Sequence, residues 1–168
     1  MFMILIALGA NLPLTDDGSP YDTCFHAVEE MQKIETIHLV AVSSWYRTRP
    51  VPPDPTQPDF CNGVVRFSGA PDPVALLEAL HEIEARFGRV RSVPNAARTL
   101  DLDLIDVNGM VRETGSPILP HPRAHLRTFV LRPLLDVAPD WVHPLMLRPA
   151  RELFSALPER AEGEIRLW

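Results

Sequence analysis

Lysine is nearly missing from this chain of 168 residues: Lys33 is the only one, against fifteen arginines. Any site that holds an anion must therefore rely on guanidinium groups, backbone N–H groups or a metal. Cysteine is scarce too. Cys24 and Cys61 are too few for a disulfide framework and lack metal-ligand spacing, so they read as reduced thiols in a cytoplasmic protein. No apolar run approaches the roughly 20 residues of a membrane helix, which excludes such a span. Met1 to Leu8 is apolar, but no basic residue precedes it and strand-forming residues fill it, unlike a secretory signal. Both glycine loops that cradle nucleotide phosphates, Gly-x-x-x-x-Gly-Lys-Ser/Thr and Gly-x-Gly-x-x-Gly, are absent. A nucleotide site here has to be built from metal, arginine and loops.

What is present is ordinary in amount. The hydrophobic fraction is 46% and the charged fraction 23%, which suits a folded globular chain rather than a disordered one. The length fits one domain spanning 1–168, with no linker and no internal repeat. Acids outnumber bases 22 to 16, for a net charge of −6. General binding to a nucleic-acid backbone is not expected, because counterion release needs a basic face.

Periodicity sets the order of elements. Residues 3–8 read as a buried strand ending at Gly9-Ala10-Asn11. Tyr21, Cys24, Phe25, Val28, Met31 and Ile34 recur at helical spacing from Pro20 to about Glu35. Residues 37–47 read as a strand with Val40, Val42, Ser44 and Tyr46 on one face. Five prolines between Thr48 and Pro58 then exclude both a helix and a central strand, leaving a long semi-rigid loop. Phe60 to Phe67 returns as the second strand of a hairpin, with Phe60, Asn62 and Val64 on one face. A helix follows, capped by Asp72, with Pro73 at its first position, Leu76, Leu80, Ile83 and Phe87 as its stripe and Gly88 at its end. Arg98 to Val107 holds another strand, and further helices fit 126–138 and 149–157. Strand, helix, strand, strand, helix, strand is the split βαβ order of a ferredoxin-like α+β fold, with extra C-terminal helices and a sheet flanked by helices.

Asp101-Leu102-Asp103-Leu104 is the most informative stretch. On a strand the two carboxylates share a face, about 7 Å apart, where they repel by about 2 kcal/mol at an effective dielectric near 20. A divalent cation would reverse that repulsion, and Mg²⁺ suits a few carboxylates completed by phosphate and water. Taken alone, the pair reads more readily as an amphipathic strand with one solvated face. Its surroundings favour the first reading: Arg89, Arg91 and Arg98 precede it, and His121, Arg123 and Arg127 follow. Cations around two carboxylates suit a metal–polyphosphate site, although a surface ion-pair network has the same composition. Glu84 sits at the border of its helix's apolar stripe, as either an arginine partner or a polar hook under a site. His81 falls on the exposed side. Phe60 and Asn62 share a face, where a ring could stack on a flat ligand while an amide reads its edge; taken alone, the pair reads more readily as core packing with a satisfied amide. His26, His38, His125 and His143 stand isolated, without an assigned role.

At Arg98-Thr99-Leu100-Asp101-Leu102-Asp103-Leu104 the chain resembles the 6-hydroxymethyl-7,8-dihydropterin pyrophosphokinase family of folate biosynthesis. Supporting matches run in order from about residue 4 to residue 140: Ala7-Leu8-Gly9-Ala10-Asn11, Ser43-Ser44-Trp45-Tyr46-Arg47-Thr48, Gln57-Pro58-Asp59-Phe60-Cys61-Asn62, Ile83-Glu84, Gly88-Arg89-Val90-Arg91, Pro120-His121, Arg127-Thr128-Phe129-Val130-Leu131 and Pro133-Leu134. The resemblance implies transfer of diphosphate from MgATP to the pterin's hydroxymethyl group, leaving AMP. It implies that Asp101 and Asp103 bind two Mg²⁺ ions. Phe60 and Phe129 would sandwich the pterin, with Asn62, Asp101 and backbone around Thr48 and Val51 completing that side. Glu84, Arg91, Arg98, Leu104, His121 and Arg127 would face ATP, with His81 a weaker contact and Arg89 and Arg91 catalytic on a mobile loop. Asp103 would also be placed to draw off the hydroxyl proton, although metal ligation alone accounts for it.

The chain departs from many members in the segment Ser92-Val93-Pro94-Asn95-Ala96-Ala97-Arg98, which is short and lacks the usual Trp and second loop arginine. Pro122 replaces a frequent Tyr, and His81 a frequent Gln. Both the 48–58 and 89–98 loops are expected to close over substrates. The partners expected are small molecules acting on a monomer, with no nucleic acid and no membrane. A ferredoxin-like RNA-binding module is the alternative, but it calls for basic and aromatic side chains where Asp101 and Asp103 stand.

Overall fold

A run of apolar residues with no polar break demands cover on both faces, and β1 (Ile4–Ala10) has it: every residue is buried. The computed structural model of the chain describes residues 2–50, 52–88, 100–158 and 165–168. α1 (Pro20–Met31) starts at a capping box in which Ser19 and Asp22 satisfy each other's backbone N–H groups. It stops at Met31 rather than near Glu35. Ile34 reaches the core from the following turn, which is why the apolar spacing outlasts the helix.

The 37–47 segment forms two strands instead of one. β2 (Ile37–Val42) and β3 (Tyr46–Thr48) both pair antiparallel with β4 (Phe60–Gly69), and the β2 register shifts between Leu39 and Ala41. Ser43 interrupts the ladder, its hydroxyl accepting from the Val64 amide at 2.9 Å. The expected shared face is therefore broken. Val40 and Val42 are 53% and 42% exposed, whereas Tyr46 is buried. One added residue reverses a period-two assignment, and a bulge adds one.

α2 (Pro73–Arg86) follows the expected pattern: Asp72 accepts from the Ala75 amide, and Leu76, Leu80 and Ile83 are buried. It leads through residues outside the described set to β5 (Asp101–Val107). A 3-10 turn (Ala124–Leu126), α3 (Thr128–Val137), α4 (Ala150–Ala156) and β6 (Arg166–Leu167) complete the described elements. The sheet order is β5-β1-β4-β3-β6, with β2 also on β4 and each of these pairs antiparallel. Counting β2 and β3 as one interrupted strand, this is the ferredoxin-like βαββαβ arrangement that the periodicity predicts.

Alternation along β1 divides the core. Ile4, Ile6 and Leu8 pack under α1 and α2 with Cys24, Met31 and Leu80. Leu5 and Ala7 face α3 and α4 with Val64, Leu134 and Trp141. Cys24 and Cys61 are both buried free thiols. No described helix is long and apolar enough to cross a membrane. β6, which extends the sheet beyond β3, has no counterpart in the sequence-based expectation.

Candidate active site

β5 lies at one edge of the sheet, and its alternation decides what faces outward. Leu102 and Leu104 turn into the core under α2, which leaves Asp101 and Asp103 on the α3 face. Register against β1 places Asp101 opposite Gly9 and Asp103 opposite Ala7. Further along, Leu5 opposes Asp106 while Ile6 opposes Leu104, so Ile105 is an extra residue. That shift turns Asp106 toward the α3 side, where its carboxylate accepts from Trp141 Nε1 at 2.7 Å and from the Gly109 amide at 2.9 Å. Burial raises the Asp106 pKa, with these bonds opposing the rise.

A pocket of about 580 Å³ runs along this edge. Asp101, Asp103 and Leu104 form its floor, His81 and Leu77 reach it from α2, and the 115–123 segment and Arg127 form the opposite wall. His121 is held by the backbone. Its Nδ1 accepts from the Arg123 amide at 3.1 Å, so in the neutral ring the hydrogen sits on Nε2. Nε2 lies 4.0 Å from Asp103 Oδ1. Desolvation and the positive charge of Arg127 pull the His121 pKa down to about 4, against a weaker upward pull from Asp101. At neutral pH His121 is an uncharged N–H donor beside a carboxylate.

Glu84 takes a different position from the pocket wall. It is 1% exposed, and its Oε2 accepts from the Leu102 amide at 3.1 Å. This bond ties α2 to β5 between the two Asp residues and helps fix their orientation.

The second group lies across the sheet. The row Asp101–Gly9–Asn62–Tyr46 crosses four strands in register, and at about 4.8 Å per strand Asp101 and Asn62 are roughly 10 Å apart. Asn62 is buried and donates its Nδ2 to Thr48 Oγ1, which assigns the amide orientation. Its Oδ1 then hangs over Gly9: a Cβ there would sit 2.9 Å from Oδ1 and 4.0 Å from the Phe60 ring. Phe60 and Phe129 are both half-buried. Phe60 shares the Asn62 face of β4, and Phe129 packs from the first turn of α3 against the Leu5–Ala7–Val64 cluster. The Arg127 guanidinium lies 5.4 Å from the Phe129 ring centre, which joins the two groups.

Of the residues singled out in the sequence, the structure brings Asp101, Asp103, Leu104, His81, His121 and Arg127 into the pocket. It gathers Thr48, Phe60 and Asn62 at the β3–β4 end. Val51, Arg89, Arg91 and Arg98 lie outside the described residues. The wall formed by Gly115, Ser116, Pro117 and Ile118 escaped the sequence reading; Gly-Ser-Pro marks a turn but not what the turn faces. His125 and His143 are not isolated. Their rings meet edge to face at 5.5 Å, and His143 meets Trp141 at 5.6 Å, behind the 121–127 segment.

A ferredoxin-like sheet carrying an acidic pair, a neutral imidazole and guanidinium groups around one open pocket has the character of a polyphosphate-handling enzyme. Comparison makes the class specific. The family profile described as 7,8-dihydro-6-hydroxymethylpterin-pyrophosphokinase matches residues 5–139. A 2-amino-4-hydroxy-6-hydroxymethyldihydropteridine pyrophosphokinase of Synechocystis is 39% identical over 140 residues, covering 83% of this chain and 68% of the relative. The enzyme of the same name from Haemophilus influenzae is 35% identical and covers 86% of each chain. The folic acid synthesis protein fol1 of Schizosaccharomyces pombe is 34% identical over 97% of this chain, which spans only 21% of that protein. In structure, the wild-type Plasmodium falciparum HPPK-DHPS matches with a TM-score of 0.62 at 13% identity. The match covers 92% of this chain and 44% of that one, and it speaks to fold alone.

The class is thus an ATP-dependent diphosphotransferase. The chain belongs to the 7,8-dihydro-6-hydroxymethylpterin-pyrophosphokinase family, whose reaction in folate biosynthesis carries a pyrophosphoryl group from ATP to hydroxymethyldihydropterin.

Proposed function

We propose that the two groups of side chains divide the family's two substrates, the β5 pocket taking the ATP triphosphate and the Gly9–Asn62 end taking the pterin. The observation that carries this reading is the register row. It sets Asp101 and Asn62 on one sheet face with only glycine between them, so a flat ring can lie beside the acidic pair without a side chain in the way.

The donor set fits magnesium. Two half-buried carboxylates share one strand face in a pocket. Among the described residues no cluster of three or more His, Cys, Asp or Glu side chains is placed to hold a metal; with two carboxylates from the protein, phosphate and water would complete a Mg²⁺ site. Asp101 and Asp103 would hold it, as two ions with the triphosphate bound, and it would neutralise phosphate charge during transfer.

The remaining work belongs to the chain. Arg127 presents a guanidinium to phosphate oxygens, and His121 adds an uncharged N–H donor that keeps its state through the physiological range. Thr48 holds the Asn62 amide so that Oδ1 accepts from a donor edge of the pterin. Phe60 and Phe129 supply the two stacking faces, and the family resemblance implies Arg89, Arg91 and Arg98 as further cations for ATP. The hydroxymethyl oxygen then attacks the β-phosphorus in line, giving its proton to Asp103, and the bond from the β-phosphorus to the α-phosphate oxygen breaks to release AMP. Catalysis here is positioning and charge neutralisation. The proposal includes action as a monomer on small molecules, and the two buried free thiols support a cytoplasmic setting.

Calorimetric titration of a non-hydrolysable ATP analogue with and without Mg²⁺ tests this reading. Mg²⁺-dependent binding in the native protein should become Mg²⁺-independent and weak in Asp101→Asn and Asp103→Asn. Undiminished Mg²⁺-dependent binding in both variants contradicts it.

A further inference from the structure

The last four residues hold both ends of the proline loop. β6 pairs antiparallel with β3, Tyr46 opposite Leu167 and Arg47 opposite Arg166, and the Trp168 amide donates to the Trp45 carbonyl at 2.9 Å. The Trp168 ring packs against the α1-side core with the Arg47 guanidinium 4.0 Å from its centre. Arg166 reaches Asp59 at 3.9 Å. Arg47 lies just before the proline loop and Asp59 closes it, immediately before Phe60. Two guanidinium groups stand directly opposite each other in this pairing, an arrangement that disfavours it. The Trp168 stack and Asp59 compensate for that repulsion.

Pro50, Pro52, Pro53, Pro55 and Pro58 stiffen the intervening chain, and a stiff segment is placed by its ends. Alternation puts Arg47 and Asp59 on the α1 face, so their neighbours Thr48 and Phe60, opposite each other in register, occupy the α3 face. Whatever fixes Arg47 and Asp59 therefore also fixes the hydroxyl that orients Asn62 and the ring proposed to stack on the pterin.

We propose that Ile165–Trp168 is a positioning segment for the pterin side of the site, acting through β3 and Asp59 and leaving the nucleotide side unaffected. It lies beyond the residues 5–139 that match the family profile. The inference rests on the assignment of Thr48, Phe60 and Asn62 to the pterin.

The test compares the full chain with a chain ending at Glu164, with Trp168→Ala and Trp168→Phe, and with Phe60→Ala as reference. Affinity for an ATP analogue with Mg²⁺ is measured first, then pterin affinity with the analogue saturating. Amide exchange over residues 46–60 is followed in parallel. Truncation and Trp168→Ala should weaken pterin binding at least fivefold, keep analogue affinity within twofold and speed exchange at Thr56 and Gln57. Trp168→Phe should recover most of the loss, since it keeps a ring under Arg47. Arg166→Ala should do less, because an exposed pair at 3.9 Å contributes little. Unchanged pterin affinity on truncation, with Phe60→Ala impaired, overturns the positioning role and leaves the pterin assignment standing. Unchanged affinity in Phe60→Ala removes the pterin assignment and this inference with it. Parallel loss of both ligands in the truncated chain and in Trp168→Ala also overturns it, as general destabilisation.

Discussion

The two halves of the site are built in different ways. The end proposed for the pterin rests on the sheet interior: Gly9 on a fully buried strand, Asn62 buried and held by Thr48, and the Phe129 ring packed against the core. The pocket proposed for the nucleotide stands on an edge strand, and half of its wall is coil from residues 115 to 123. On the proposed assignment the first half would recognise a flat molecule by shape and one amide, so small steric errors there would be costly. The second half would recognise charge, tolerating positional slack but no loss of a carboxylate. The two halves meet at Asp101, which ends the register row that also carries Gly9 and Asn62.

The largest separation between the halves should come from the acidic pair. Asp101→Ala or Asp103→Ala is expected to lower kcat by roughly a thousandfold or more, about 4 kcal/mol of transition-state stabilisation. Thermal unfolding should show the apo fold intact, because each change removes a like-charge neighbour. Near-normal turnover at saturating Mg²⁺ would remove the acidic pair from the mechanism.

A steric change should break the pterin half alone. In Gly9→Val the added Cβ falls 2.9 Å from Asn62 Oδ1, so the amide must move out of its orientation. Pterin affinity should drop by about tenfold or more while the ATP analogue binds as before, which calorimetry resolves directly. Phe60→Ala should weaken the pterin by about 1–3 kcal/mol, the range for a base stacked on an aromatic ring.

A smaller effect concerns pH. The folded His121 pKa is about 4, below the unfolded value of 6.5, so the unfolded chain binds more protons between these limits. The stability that His121 contributes is complete above pH 6.5 and is lost as pH falls toward 4, by roughly 3 kcal/mol at most. Urea unfolding of the apo protein at pH 7 and pH 4.5 should show a smaller pH difference in His121→Gln than in the native chain. Equal pH dependence in the two proteins would mean that the imidazole is not desolvated as described.

How much of this was legible follows the same division. Alternation in Phe60–Asn62 and in Asp101–Asp103 exposed the right faces, because both lie on regular ladder segments. Asp106 was not legible. Period two sends it away from Asp103, and only the extra residue at Ile105 turns it toward Trp141. The 37–47 segment failed for the same reason, with a register shift and Ser43 breaking one expected strand in two. The His125–His143–Trp141 contacts and the pairing of β6 with β3 join residues far apart in the chain, and no local pattern encodes such pairings. The 115–118 wall is coil, whose direction depends on what it packs against.

The central claim is that the two halves bind separately and meet at Asp101. Paired titrations on Phe60→Ala and Asp103→Ala test it most directly, with the ATP analogue and Mg²⁺ titrated first and the pterin second. The account predicts a crossed result: Phe60→Ala keeps the analogue and loses the pterin, while Asp103→Ala loses the Mg²⁺-dependent part of analogue binding. Loss of analogue binding in Phe60→Ala with the pterin retained would contradict it, because the two substrates would then occupy each other's assigned places.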